Sequence, residues 1–212
     1  MQDGRHLITP PRIGFPDCIK RHISQRVRKG AYAVFVYAIR NRRDWWNADV
    51  AISGALSLSS MMDWSQIATD SKSDGSLRDI YILGTSIDDW ALIWNVLTAS
   101  GSLAFDVDGI ARTPPADVRE AFALHASHSV TACYRLGKQR LNCHFFVEEE
   151  VEFDLDPKDV DGLVEAERLG QFLVDLGRMT SKEVRLTAEN EREAVIARYS
   201  PISDSVIWSA VP

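Results

Sequence analysis

Apolar and polar residues alternate between residues 141 and 155, in the stretch LNCHFFVEEEVEFDL. The odd-numbered positions are apolar except Glu149, and every even-numbered position from 148 to 154 is acidic. Because successive side chains of a strand point to opposite faces, this pattern predicts a strand with one apolar face and one acidic face. A straight strand of this length would span about 46 Å, well beyond the usual range, so we expect a bend or bulge at Glu149.

Helical periodicity is clearest in the stretch SIDDWALIWNVLTASG, residues 86–101. Ser86 followed three residues later by Asp89 predicts a capping box at the helix start, and Gly101 predicts the helix end. One face of this helix is apolar, which predicts that it packs on a core. The residues on this face are Ile87, Trp90, Ile93, Trp94 and Leu97. A ligand pocket beside the two tryptophans is a weaker alternative, since such pairs more often belong to a core.

A second long helix is predicted over residues 156–178. Asp156 and Pro157 suit its first turn, leucines and Phe172 form its apolar stripe, and Gly177 is expected to end it. A shorter helix is expected after Thr113 and Pro114.

The remaining apolar runs predict strands. RDIYILGT precedes the first helix, SLAFDVDG follows it, and a hairpin turns at Gly137-Lys138. KEVRLT, EAVIARYS and SVIWSAV predict further strands near the C-terminus. The order predicts an α+β domain over residues 77–212 with a mixed or antiparallel sheet of five to six strands. Two main helices would cover one face, in a split βαββαβ-like arrangement.

Charge is distributed unevenly along the chain. Residues 1–60 contain ten Lys or Arg and four Asp, a net charge of +6, whereas the whole chain has a net charge of −6. We therefore interpret residues 1–76 as a basic extension and linker of poorly defined structure. Four origins stay open for residues 1–60: a targeting peptide, a basic nucleic-acid arm, upstream sequence before a start at Met61 or Met62, or a structural extension.

Composition restricts the cellular setting. Three cysteines without a CxxC pair fit a reducing compartment. The longest unbroken apolar run, residues 31–39, is about half the ~20 residues that a membrane span requires. We expect a soluble, cytoplasmic protein without membrane attachment.

The acidic face is the main candidate site. It consists of Glu148, Glu150, Glu152 and Asp154, which Asp106 and Asp108 could extend. Such a face steers a basic protein partner towards it, as in immunity or antitoxin proteins, and makes nucleic acid an unlikely partner of the acidic domain. Ordinary solvated surface is the competing interpretation. The composition indicates no cofactor, and no catalytic residue is assigned.

A metal-dependent phosphoester hydrolase is the alternative from another class. Asp106 and Asp108 form one Asp-x-Asp pair and Asp154 and Asp156 form another, and adjacency would create a four-carboxylate cluster able to hold divalent ions. No Walker loop, HExxH, GxSxG or GxGxxG motif supports an enzyme. Cys143 and His144 are consecutive, so on a strand they would point to opposite faces, which argues against a shared zinc ion.

Overall fold

A computed structural model describes residues 64–209, apart from the side chain of Gln66. The predictions for residues 1–60 lie outside the described residues. Within the predicted linker, Trp64–Asp70 forms a helix (α1), and its Ile67 is 2% exposed and packs in the core.

A nine-stranded antiparallel sheet forms the centre of the described region. The order across it is β3-β2-β4-β5-β6-β1-β7-β8-β9. The strands are β1 (Arg78–Leu83), β2 (Leu103–Val107), β3 (Ile110–Arg112), β4 (Val130–Leu136), β5 (Gln139–His144), β6 (Glu150–Leu155), β7 (Val184–Ala188), β8 (Glu191–Ser200) and β9 (Ser205–Trp208). The α+β class is confirmed.

The strand count and the split βαββαβ pattern were wrong. The long arm predicted over residues 141–155 is two strands, and the short β3 adds another. β1 lies between β6 and β7 and is antiparallel to both, whereas the strands that follow it join mainly by hairpins.

Three further helices are described: α2 (Ile87–Ala99), α3 (Val118–His125) and α4 (Leu163–Thr180). The capping box at the start of α2 is confirmed, with Ser86 and Asp89 bonding each other's backbone N–H groups. α3 starts later than predicted. Asp117, not Thr113, accepts the capping bond, from the Arg119 N–H.

The core lies between the helices and one face of the sheet. Trp90 and Trp94 of α2 contact Phe145, and Trp94 also contacts Phe105 of β2. On α4, Phe172 packs against Phe153 of β6 and Tyr134 of β4. Both helices therefore contribute to the core, and the two tryptophans are core residues at 0% and 1% exposure.

The alternating arm reverses direction where a bend at Glu149 was expected. β5 and β6 run antiparallel, with Asn142 opposite Asp154, Cys143 opposite Phe153 and His144 opposite Glu152. Residues 145–149 form the connection, so Glu149 lies in a turn, and Thr85 N–H donates to its carbonyl. The acidic side chains nevertheless stay on the face away from the helices.

The start and end of α4 differ from the prediction. Asp156 caps a short 3-10 turn, Pro157–Asp159, by accepting from the Lys158 N–H, and α4 begins only at Leu163. Gly177 lies inside α4, which ends at Thr180 and is followed by the C-cap residue Ser181 with a left-handed φ of 57°. A Cβ atom at Gly177 would lie 2.0 Å from the Tyr199 ring, so this glycine serves close packing of α4 on β8.

Candidate functional site

The sheet face opposite the helices, here called the open face, carries the predicted acidic residues. Cross-strand pairing arranges its polar side chains in rows. In one row, Asn142 lies opposite Asp154, and Asp154 lies opposite Asp79. In the next row, Glu152 lies between His144 on β5 and Tyr81 on β1.

Asp154 is hydrogen-bonded by both neighbours on β5. Its side chain accepts from Asn142 Nδ2 at 2.6 Å and contacts His144 Nε2 at 2.6 Å, and it is only 12% exposed. The bond to Asp154 raises the pKa of His144, against the opposing effect of burial, and the charges of Asp154, Glu152 and Asp79 raise it further. The imidazole also stacks on Phe146, with ring centroids 5.1 Å apart and planes 7° from parallel.

Asp79 is a second buried carboxylate, 3% exposed and directly opposite Asp154. It accepts from the Tyr81 hydroxyl at 2.9 Å and from the Asn190 N–H at 2.7 Å. Burial, followed by this bond to Asp79, raises the pKa of Tyr81, which therefore stays protonated as a donor. Like charges that face each other across strands repel, so these neutral donors keep Asp79 buried at a site rich in negative charge.

Glu150 forms an ion pair that bridges β6 and the start of β8. Its Oε1 lies 2.7 Å from Arg192 Nη2, and the Glu150 side chain is 10% exposed. The same guanidinium lies over the Tyr81 ring, 5.2 Å from its centroid, in cation–π geometry. Arg192 therefore neutralises Glu150 and covers one side of Tyr81.

Glu152 differs from its neighbours because, within residues 64–209, its carboxylate accepts no hydrogen bond and forms no ion pair. It is partly buried between His144 and Tyr81. Burial raises the pKa of Glu152, with the nearby His144 opposing and Asp79 reinforcing the shift. A partly desolvated carboxylate without a donor is a group that an incoming cation or donor would stabilise.

An open recess of about 580 Å³ surrounds this carboxylate. Its rim includes two exposed apolar side chains of the β5–β6 turn, Phe146 at 58% and Val147 at 48% exposure. The lining residues are Tyr81, Phe146, Val147, Glu150, Glu152, Asn190 and Arg192. The arrangement combines a carboxylate without a hydrogen-bond donor in the described region with aromatic surface, a combination that suits a cationic group.

The other predicted site residues lie apart from the recess. Glu148 is exposed in the β5–β6 turn, and its carbonyl accepts from the Thr85 hydroxyl at 2.8 Å. Asp106 lies on β2, which β4 and β5 separate from β6, a distance of about 14 Å at the usual strand spacing. Asp108 adopts a left-handed φ of 54° at the β2–β3 turn and bonds His128 at 2.7 Å.

The two Asp-x-Asp pairs are therefore not adjacent, and the four-carboxylate cluster is not formed. Among residues 64–209, no group of three or more His, Cys, Asp or Glu side chains is arranged to hold a metal ion. Cys143 is buried on the core face, and burial raises the pKa of its thiol, whereas His144 lies on the open face. The expectation that these two residues point to opposite faces is confirmed.

Comparison with protein-family models, curated proteins and solved structures gives no match. Among the helices of residues 64–209, none is both long and apolar enough to cross a membrane.

The acidic strand is evident in the sequence, but the groups that surround it in the sheet are not. Tyr81 lies in the predicted strand RDIYILGT, and Arg192 precedes the predicted strand EAVIARYS, but neither pattern indicates proximity to the acidic strand. Tyr81 and Arg192 lie near Glu150 and Glu152 because of the strand order β6-β1-β7-β8. Alternation of polar and apolar residues along a single strand does not indicate the strand order. Phe146 did carry a signal, since it is the apolar exception among the even-numbered positions of the arm.

Proposed function

We propose that this protein is a non-enzymatic binding module that docks a basic surface of a partner protein on its open face, in the manner of immunity or antitoxin proteins. The observation that carries the proposal is Glu152, a partly buried carboxylate that lines the recess and has no donor in the described region. A lysine or arginine side chain of the partner supplies the missing donor.

Charge supports this choice of partner. Arg192 pairs with Glu150, which leaves Glu152 as the carboxylate of the recess lining without an ion pair, while Asp79 and Asp154 occupy the neighbouring row of the same face. The recess therefore has an excess of negative charge, which attracts cations and repels anions over the range of the Debye length. Tyr81 and Phe146 add aromatic surface for a cation–π contact.

The apolar rim contributes the second kind of contact. Phe146 and Val147 are side by side in the turn and more exposed than most large apolar residues. Aromatic side chains that become buried at the centre of an interface often dominate its affinity. The partner surface is therefore a basic group flanked by apolar side chains.

The test compares two substitutions that change the net charge equally. Glu152→Gln removes the carboxylate from the recess, and Glu148→Gln removes one from the exposed turn nearby. The probe is a labelled hexa-arginine peptide, and binding is measured by fluorescence anisotropy at low salt. A hydrogen bond to a charged group contributes about 1.5–3 kcal/mol, so we expect Glu152→Gln to weaken binding roughly tenfold or more.

The control variant Glu148→Gln should change the affinity only slightly, through the loss of one screened charge. Equal binding by both variants would mean that the recess is not the docking point. Reversal of Glu150 or Asp154 is a poorer test, because their partners Arg192, Asn142 and His144 would be left unpaired.

A further inference from the structure

Two arginines face each other on the β4–β5 hairpin, outside the recess. Arg135 lies directly opposite Arg140, and both are exposed. The Arg135 N–H donates to the Ser102 carbonyl of the neighbouring chain segment at 3.0 Å, so it does not bond across to Arg140. The two arginines therefore form a non-hydrogen-bonded pair, the class of cross-strand pair whose side chains are closest.

Like charges that face each other in this way destabilise a sheet. Neither guanidinium forms an ion pair or a hydrogen bond within residues 64–209. Asp156 pairs with Lys158 and Asp161 pairs with Lys138, and the charge of Arg140 also contributes to lowering the pKa of Asp156. Asp156 is thus a nearby negative charge, but no carboxylate of the described part of the chain is ion-paired with the guanidinium of Arg135 or Arg140.

The same sheet contains a compensated pair for comparison. Arg185 on β7 lies directly opposite Arg198 on β8. Glu183 bridges them, with one oxygen 2.7 Å from Arg185 Nε and the other 3.7 Å from Arg198 Nη1. Where two arginines meet elsewhere on this sheet, a carboxylate therefore lies between them.

We infer that Arg135 and Arg140 form a clamp for an external oxyanion, a carboxylate or phosphate group, which takes the place that Glu183 occupies between Arg185 and Arg198. Two planar guanidinium groups offer parallel N–H donors that match the paired oxygens of such a group. The clamp is separate from the recess: Arg140 is four residues from His144 on β5, about 13 Å along the strand.

The experiment is an NMR titration of the ¹⁵N-labelled full chain at pH 7 and constant ionic strength. The probes are sodium phosphate and sodium acetate, with sodium chloride as reference, and the signals are the Nε–Hε groups of Arg135 and Arg140. We expect saturable shifts with phosphate or acetate and none with chloride. Saturation by phosphate alone identifies a phosphate clamp, and comparable saturation by acetate identifies a carboxylate clamp.

Arg135→Gln should weaken oxyanion binding about tenfold or more. The same variant should raise the melting temperature in chloride, because it removes the repulsion. Arg198→Gln is the matched control, an exposed arginine of another cross-strand pair, and should leave the titration unchanged. Linear, non-saturating shifts, or equal affinity in Arg135→Gln and the native chain, would overturn the inference.

Discussion

Gly170 and Gly177 of α4 differ in how closely their neighbours approach, so the effect of substituting alanine for glycine can be compared between the two positions. A Cβ atom at Gly177 would lie 2.0 Å from Tyr199 Cδ1 and 2.1 Å from Cε1. At Gly170, the nearest atoms would be those of Trp208 at 3.9 Å, an ordinary van der Waals separation. Neither glycine has a positive φ, so alanine fits the helical backbone at both positions.

The magnitude follows from three contributions. Alanine is favoured over glycine in a helix interior by about 1 kcal/mol, which applies to both variants. At Gly177, the Tyr199 ring must move by roughly 1.5–2 Å to reach normal contact, and overpacking of this kind costs about 1–3 kcal/mol. Movement of the ring also strains the bond from the Tyr199 hydroxyl to Asp204, now 2.9 Å long and worth about 1 kcal/mol.

We therefore expect Gly177→Ala to lower the free energy of unfolding by about 1–3 kcal/mol and Gly170→Ala to raise it by up to about 1 kcal/mol. Urea denaturation followed by tryptophan fluorescence measures both, provided that the slope with denaturant is unchanged. A double variant, Gly177→Ala with Tyr199→Leu, should recover part of the loss by removing the contacted ring. If Gly177→Ala is as stable as Gly170→Ala, the close contact does not govern the packing of α4 on β8.

Three further predictions concern the site and the caps. The bond to Asp154 raises the pKa of His144 in the folded protein. The stabilisation that this bond provides is therefore fully present below the unfolded-state pKa of histidine, about 6.5, and is lost as the pH rises through the folded-state pKa. The stability difference between the native chain and His144→Gln should therefore shrink in urea denaturation as pH is raised above about 6.5, and a constant difference would contradict this pairing. Because no described carboxylates converge on a metal position, Mg²⁺, Mn²⁺ and Ca²⁺ should leave the melting temperature unchanged, whereas a rise with ion concentration would favour the phosphoester hydrolase hypothesis. Ser86→Ala should cost about 1 kcal/mol in the same urea assay, through loss of the α2 cap, and an unchanged midpoint would show that the cap contributes little.

The helices with local signals were predicted well. Ser86 and Asp89 specify the start of α2 through contacts only three residues apart, which the sequence displays directly. The end of α4 was misplaced because Gly177 has a typical C-cap identity but serves a contact with Tyr199, twenty-two positions away in the chain. The sequence shows only that residue 177 is a glycine, and the contact with Tyr199 explains why a side chain would not fit at this position.

The register of the β5–β6 hairpin explains why the alternation of residues did not reveal the reversal of the chain. In this hairpin the numbers of paired residues sum to 296, as for Asn142 with Asp154 and His144 with Glu152. An even sum means that paired residues have the same parity and lie on the same face. A straight strand and a hairpin with such a register therefore give the same alternation, and the two differ only in length. The improbable span of about 46 Å was the signal that favoured a turn.

On the open face, fewer carboxylates lack a partner than the number of acidic residues in the sequence suggests. Three carboxylates alternate along β6, yet Glu150 is neutralised by Arg192, and Asp154 is held by Asn142 and His144. These partners come from β5 and β8, so strand order decides which acid stays free. Glu152 alone of the three has no donor within the described residues, because its cross-strand neighbours bond elsewhere: Tyr81 to Asp79 and His144 to Asp154. If this face binds a cation as proposed, we expect the binding to depend on Glu152 above all, and the single substitution Glu152→Gln tests that expectation.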